Sequence, residues 1–278
     1  MKRLADEATR LLSSCVAEGY SKCKGPEAFE WVSHKARHSF GVAFALRRIS
    51  EIKPADWEFR DLAETSCLLH DVGRFYEHDG VSVITGFDHG KAGAGIVRKS
   101  GKFPKEVELA VKYHSVRNHN EIFSDADFLS LDDAGRFRAE SLLKMVRDAD
   151  KLENVDYAFS SAGIRTFFTI GGKSEISGFS KDMLSAFAAG NKTTLPRAMV
   201  RTEADKMLSM ASWGYDLNYS ESVSVFFVEC LRPIIEALSK TPASPSETAM
   251  LKKGLQFLNE HLHERTVATK MGNRIRLP

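Results

Sequence analysis

Six imidazole and carboxylate side chains carry the chemistry that this chain can do. His38, the adjacent pair His70-Asp71, His89, His114 and Asp150 follow one another over little more than a hundred residues. Each falls on, or at the end of, the apolar stripe of a separate predicted helix. Groups of this kind cannot fold inward unpaired, because burying a charge without compensation is costly. A shared metal centre would satisfy all six together. A divalent ion there would lower the pKa of water from about 15.7 to about 7 and polarise a bound oxygen.

The elements that must position these residues are helical, and no convincing run of alternating strand residues is present. The period predicts an all-α chain, with helices over Asp6–Glu18, Pro26–Glu51 and Trp57–Asp71. The third is expected to stop at Val72-Gly73, where glycine suits a left-handed exit. Arg74 to Phe87 reads as a loop. Asp88 is a plausible cap for a fourth helix through Lys99, and Pro104 opens a fifth that reaches about Val116. A polar connection over Ser124–Asp133 leads into a sixth, Ala134–Phe159. A loop or short hairpin is expected around Gly171-Gly172 and Ser174–Gly178. Later helices cover Lys181–Ala189, Thr202–Ala211, Ser222–Ser239 and Ser246–Glu264. The expected division is a core over 1–160 and a C-terminal helical extension over 161–278 packed on it.

Helical offsets place the six residues on inward faces. His38 shares a stripe with Trp31, Val42, Ala45 and Ile49, and His70 follows Phe59, Ala63 and Cys67. His114 closes the series Val107, Ala110, Val111, while Asp150 aligns with Leu143 and Val146. His89 precedes Ala92-Gly93-Ala94-Gly95, small residues that let helices approach closely. Neighbours on a helix diverge by about 100°, so His70 and Asp71 can share an ion only where the helix frays. A lone inward histidine is usually a hydrogen-bonded core residue, and a lone aspartate a cap. Six such groups with a contiguous doublet argue for one centre.

Arg37-His38-Ser39, Leu68-Leu69-His70-Asp71-Val72-Gly73-Arg74-Phe75 and Asp148-Ala149-Asp150-Lys151-Leu152 together resemble the signature of HD-domain proteins. This all-helical superfamily consists of metal-dependent phosphohydrolases, and the resemblance covers roughly Trp31 to Phe159. More loosely, Thr202–Tyr219, with Asp205, is similar to the tail of a bacterial HD subgroup without an assigned substrate. The resemblance implies that His38, His70, Asp71 and Asp150 ligate one ion, with Asp150 favoured over Asp148. His89 and His114 match the six-ligand variant, in which Asp71 bridges to a second ion held by the two histidines. One or two divalent ions are expected, iron or manganese before zinc, cobalt or nickel.

The implied activity is hydrolysis of a phosphomonoester or phosphoanhydride, in a small nucleotide or related metabolite, by metal-activated hydroxide. Asp71, His89, His114 and Arg74 would take part in catalysis. With one ion, His89 and His114 would be free to bind phosphate or protonate the leaving oxygen. Arg74, Lys91 and Arg117 are the candidates for binding phosphate, Arg74 first because its planar fork suits phosphate oxygens. His34, one turn before His38, and Glu153 are expected to support the ligands. The six-ligand pattern also resembles HD-like mixed-valence diiron oxygenases. A non-catalytic metal- or nucleotide-binding regulator is the third reading, disfavoured because all six positions are filled.

Composition narrows the class further. A net charge of +2 over 278 residues is too mild to argue for nucleic acid, and it would not repel a phosphorylated small molecule. The four cysteines form no C-x-x-C pair, which fits reduced thiols in a cytoplasmic protein. The longest apolar run, Val223–Leu231, is interrupted by Ser224 and Glu229 and is too short to span a bilayer. Nothing in the sequence specifies an oligomeric state.

Overall fold

The helical period becomes twelve α-helices and no strand among the described residues of the computed structural model, which are 3–52, 57–76, 88–115, 119–159 and 178–274. The chain divides into two compact units, Met1–Glu153 and Asn154–Pro278. No helix among the described residues is long and apolar enough to cross a membrane.

The first unit holds α1 (Leu4–Lys22), α2 (Pro26–Ile52), α3 (Trp57–Leu69), α4 (His89–Ser100), α5 (Lys105–Tyr113), the single turn α6 (Ala126–Leu129) and most of α7 (Asp133–Phe159). Helix α3 is the hub, packed by α1, α2 and α5, and α4 lies against α5. Val42, Ala45, Leu46 and Ile49 of α2 are buried, as are Ala63, Cys67 and Leu68 of α3. The stripes that carry His38 and His70 therefore do face the core. Burial of such side chains contributes about 1.5–3 kcal/mol each for the larger ones.

Two glycines decide how closely the elements around the doublet can meet. Gly73 does not make a left-handed exit, since it is absent from the positive-φ residues. It sits in a 3₁₀ turn, Val72–Tyr76, that extends the end of α3. What this position needs is space: a Cβ there would lie 2.1 Å from the His89 carbonyl oxygen and 2.7 Å from the Gly93 nitrogen. At Gly93 a Cβ would lie 3.0 Å from Val111 Cγ1, so the small-residue run does bring α4 against α5. Gly73→Ala is expected to destabilise the protein by roughly 3 kcal/mol, at the upper end for overpacking because the obstacle is backbone. Urea unfolding checks this, and an unchanged midpoint would show that the turn yields freely.

The second unit contains α8 (Lys181–Ala188), α9 (Glu203–Ser212), α10 (Ser220–Val225), α11 (Leu231–Ser239) and α12 (Pro245–Arg274). Asp205 closes a capping box with Thr202 at the start of α9, and its carboxylate also accepts from the Ser180 and Arg201 amides at 2.9 and 3.0 Å. Its role there is structural. The helix expected over Ser222–Ser239 is interrupted by a wider π turn at Phe226–Cys230, where the Leu231 amide bonds the Phe226 carbonyl. Pro233 lies three residues beyond the turn; it lacks an N–H, and its ring would clash with the carbonyl four residues back in a regular helix. The hairpin region around Gly171-Gly172, and 77–87 of the expected Arg74–Phe87 loop, lie outside the described residues.

Candidate metal centre

Five elements deliver the six donors. His38 projects from the middle of α2, and Asp150 from α7. His70 and Asp71 occupy the turn between α3 and the 3₁₀ turn. Leaving the helix at this point frees the pair from the divergence an intact helix imposes. His89 is the first residue of α4, held by an Asp88 side chain that accepts from the Lys91 amide as expected of a cap. His114 ends α5, and its carbonyl accepts from Arg147 Nη1 at 2.9 Å.

The four imidazoles form a continuous chain. Ring centroids lie 5.1 Å apart for His38–His70, 5.0 Å for His70–His114 and 5.1 Å for His89–His114. Asp71 sits across that chain, and its two oxygens face different pairs. Oδ2 is 3.7 Å from Nε2 of both His38 and His70. Oδ1 is 3.4 Å from His89 Nε2 and 3.3 Å from His114 Nε2. Asp150 Oδ1 lies 3.1 Å from His38 Nε2 and 3.9 Å from His70 Nε2. Two sets of donor atoms, His38/His70/Asp150 and His70/Asp71/His114, each lie mutually within 4.8 Å.

The outer ring nitrogens show which lone pairs point inward. A carbonyl oxygen only accepts, so His70 Nδ1 donates to the Cys67 carbonyl at 2.7 Å and His114 Nδ1 to the Val111 carbonyl at 2.8 Å. His38 Nδ1 donates to the Glu153 carboxylate. In each case Nε2 is turned to the centre, which is how ligating histidines are oriented in metal sites. Metal–nitrogen bonds of about 2.1 Å separate neighbouring donors by about 3.0–3.4 Å. The shorter distances here fall in that range, and the longer ones exceed it by a few tenths of an ångström. The donor set fits a transition-metal ion.

Residues 36–155 match the family model of the HD domain. The matched segment carries all six donors. Comparison with curated proteins and with solved structures returned no match. HD domains bind divalent metals and belong, as a superfamily, to metal-dependent phosphohydrolases.

Around the centre the charges are tightly set. Burial pushes the Asp71 carboxyl up, but Lys35, His70 and Arg74 outweigh it and hold the group well below its usual value. Burial and neighbouring positive charge lower His70 to about 4 and His89 to about 3. His38 moves the other way. Burial and Lys35 push it down, yet Glu153 and Asp150 raise it to about 9. His34, one turn earlier and buried, is pushed down to about 3 by burial first and then by Lys35. Its ring stands 6.1 Å from that of His38.

The expected phosphate-binding cations separate. Arg74 Nε lies 3.2 Å from Asp71 Oδ1, beside the centre. Lys91 instead pairs with Asp88 at 3.1 Å and its side chain is 70% exposed, because position 91 falls on the outer face of the first turn of α4. Arg117 lies outside the described residues. Lys35 was not among the sequence candidates. It is buried, and its Nζ is 2.9 Å from Asp71 Oδ2. The available signal was its position three residues before His38, which places both on one helix face.

Proposed function

We propose that the chain is a cytoplasmic, metal-dependent phosphohydrolase acting on a phosphomonoester or phosphoanhydride of a small nucleotide or related metabolite. The observation that carries this reading is the division of the Asp71 carboxylate, one oxygen toward His38 and His70 and the other toward His89 and His114. That division suits a bridging role between two ions. His38, His70 and Asp150 would complete one site, and His89 and His114 the other. Imidazole and carboxylate donors favour iron or manganese, with zinc, cobalt and nickel accepted by the same donors.

When bound, such ions lower the pKa of water and polarise phosphoryl oxygens. The remaining work falls to the protein. Arg74, with a side chain 27% exposed, is reachable from solvent and meets the phosphoryl group with a planar fork. Glu153, Cys67 and Val111 hold three imidazoles in the orientation that aims Nε2 inward. Asp150, with a side chain 29% exposed, lies on the more open side of the centre. Catalysis is assigned to residues 1–160, with the later helices α8 to α12 as an accessory part.

The test is metal analysis of the purified chain beside a phosphate-release screen over nucleotides and sugar phosphates. Turnover that depends on bound metal supports the reading. An iron-loaded protein that consumes oxygen in the presence of substrate and releases no phosphate would replace it with oxygenase chemistry.

A further inference from the structure

The least expected group beside the centre is an ammonium. Lys35 lies on α2 one turn before His38, with a side chain only 11% exposed. Among the described residues its ammonium has two partners, the Asp71 Oδ2 atom at 2.9 Å and the Trp31 ring at 5.2 Å from Nζ to centroid. An ammonium carries three N–H donors. One goes to Asp71, and the ring face attracts the charge without accepting a second conventional hydrogen bond. Donor capacity therefore remains on a buried cation that touches the same carboxylate oxygen as His38 and His70.

Charge balance says what that capacity is for. Asp71 is flanked by two fixed cations, Lys35 and Arg74, while Asp150 and Glu153 face His38. Once divalent ions draw on the same carboxylates, the ammonium is in excess in a poorly solvated position, and such a charge demands an anion. Its carboxylate partner, Asp71, is then engaged by the ions. The missing anion has to come from outside and has to sit within reach of both the metal donors and Lys35.

We infer that Lys35 is a substrate-binding residue whose ammonium takes a non-bridging phosphoryl oxygen, on the side of Asp71 opposite Arg74. This rests on the phosphohydrolase reading. Together Lys35 and Arg74 flank Asp71 from its two oxygens, Oδ2 and Oδ1. They would hold the phosphoryl group from two sides, and they select a dianionic group over a neutral ester.

The experiment uses the full-length protein loaded with manganese and titrates inorganic phosphate by calorimetry, with manganese per chain measured in the same samples. Lys35→Met is expected to keep its manganese and to bind phosphate at least tenfold more weakly. Lys35→Gln, which retains a donor and a polar head without charge, is expected to lose a similar factor and covers the case in which the methionine variant folds poorly. Lys35→Arg is expected to stay within a few-fold of wild type. Equal phosphate affinity in wild type and both neutral variants would overturn the inference alone. So would a fall in manganese content with unchanged phosphate affinity in the loaded fraction, since Lys35 would then only brace Asp71. A wild-type protein that holds manganese and binds no phosphate would overturn the inference together with the hydrolase reading.

Discussion

Replacing His70 with alanine is expected to strip most of the bound metal and to lower phosphate release by at least about a thousandfold, since each ~1.4 kcal/mol of lost transition-state stabilisation costs tenfold. His70 is the pivot of the donor set. It belongs to both groups of mutually close donor atoms, and its ring touches those of His38 and His114. Its Nε2 is 3.2 Å from that of His38, so removing it opens the centre from the middle. Asp71→Asn should lose metal as well, with an added effect that His70→Ala lacks. The carboxylate balances Lys35 at 2.9 Å and Arg74 at 3.2 Å, and its loss leaves a buried ammonium uncompensated. His89→Ala and His114→Ala should instead retain about one ion per chain, because the Asp150 side of the centre stays intact. Metal per chain, measured beside circular dichroism, separates these outcomes. Full metal content in the His70 and Asp71 variants would remove the case for this centre.

How much of this could be read beforehand depends on what each residue's neighbours in sequence reveal. Helix existence was legible because the apolar stripes are long and regular; α2, α4 and α7 begin and end within a residue or two of the expected limits. The convergence of the six donors was legible for the same reason, since each sits on a buried stripe. Gly73 was visible as a special position, but for the wrong cause. A sequence shows that glycine is needed and does not show that a carbonyl from α4 will stand over it. Lys35 was invisible because a lysine on a helix normally reads as solvated, and only the tertiary placement of Asp71 above it turns the side chain inward. Lys91 was misleading in the opposite sense. Proximity in sequence to His89 suggested proximity in space, yet the second residue beyond lies roughly 200° around the helix. The π turn before Pro233 shows the same limit, because an unbroken helix was expected through the proline and the backbone absorbs it by widening instead.

Glu153 provides the second large effect, and it acts without being counted among the donors. Its carboxylate accepts from His38 Nδ1 and so fixes which nitrogen of that ring faces the centre. The arrangement depends on Gly41, one turn from His38 on α2. A Cβ at that position would lie 2.7 Å from Glu153 Cγ, so the glycine lets the α7 side chain lie directly against α2. Glu153→Ala is expected to weaken metal binding by roughly 10–100-fold, the range seen when the outer partner of a ligating histidine is removed. Glu153→Gln can still accept the same hydrogen bond through its amide oxygen, and it should fall between the alanine variant and wild type. A positioning residue predicts a further result that a stability defect does not. Saturating metal should restore much of the turnover of Glu153→Ala, because the ligand itself is intact and only its orientation and basicity are impaired. Metal titration followed by phosphate release measures both quantities. Unchanged metal affinity in Glu153→Ala would mean that His38 is held in place by α2 and Asp150 alone.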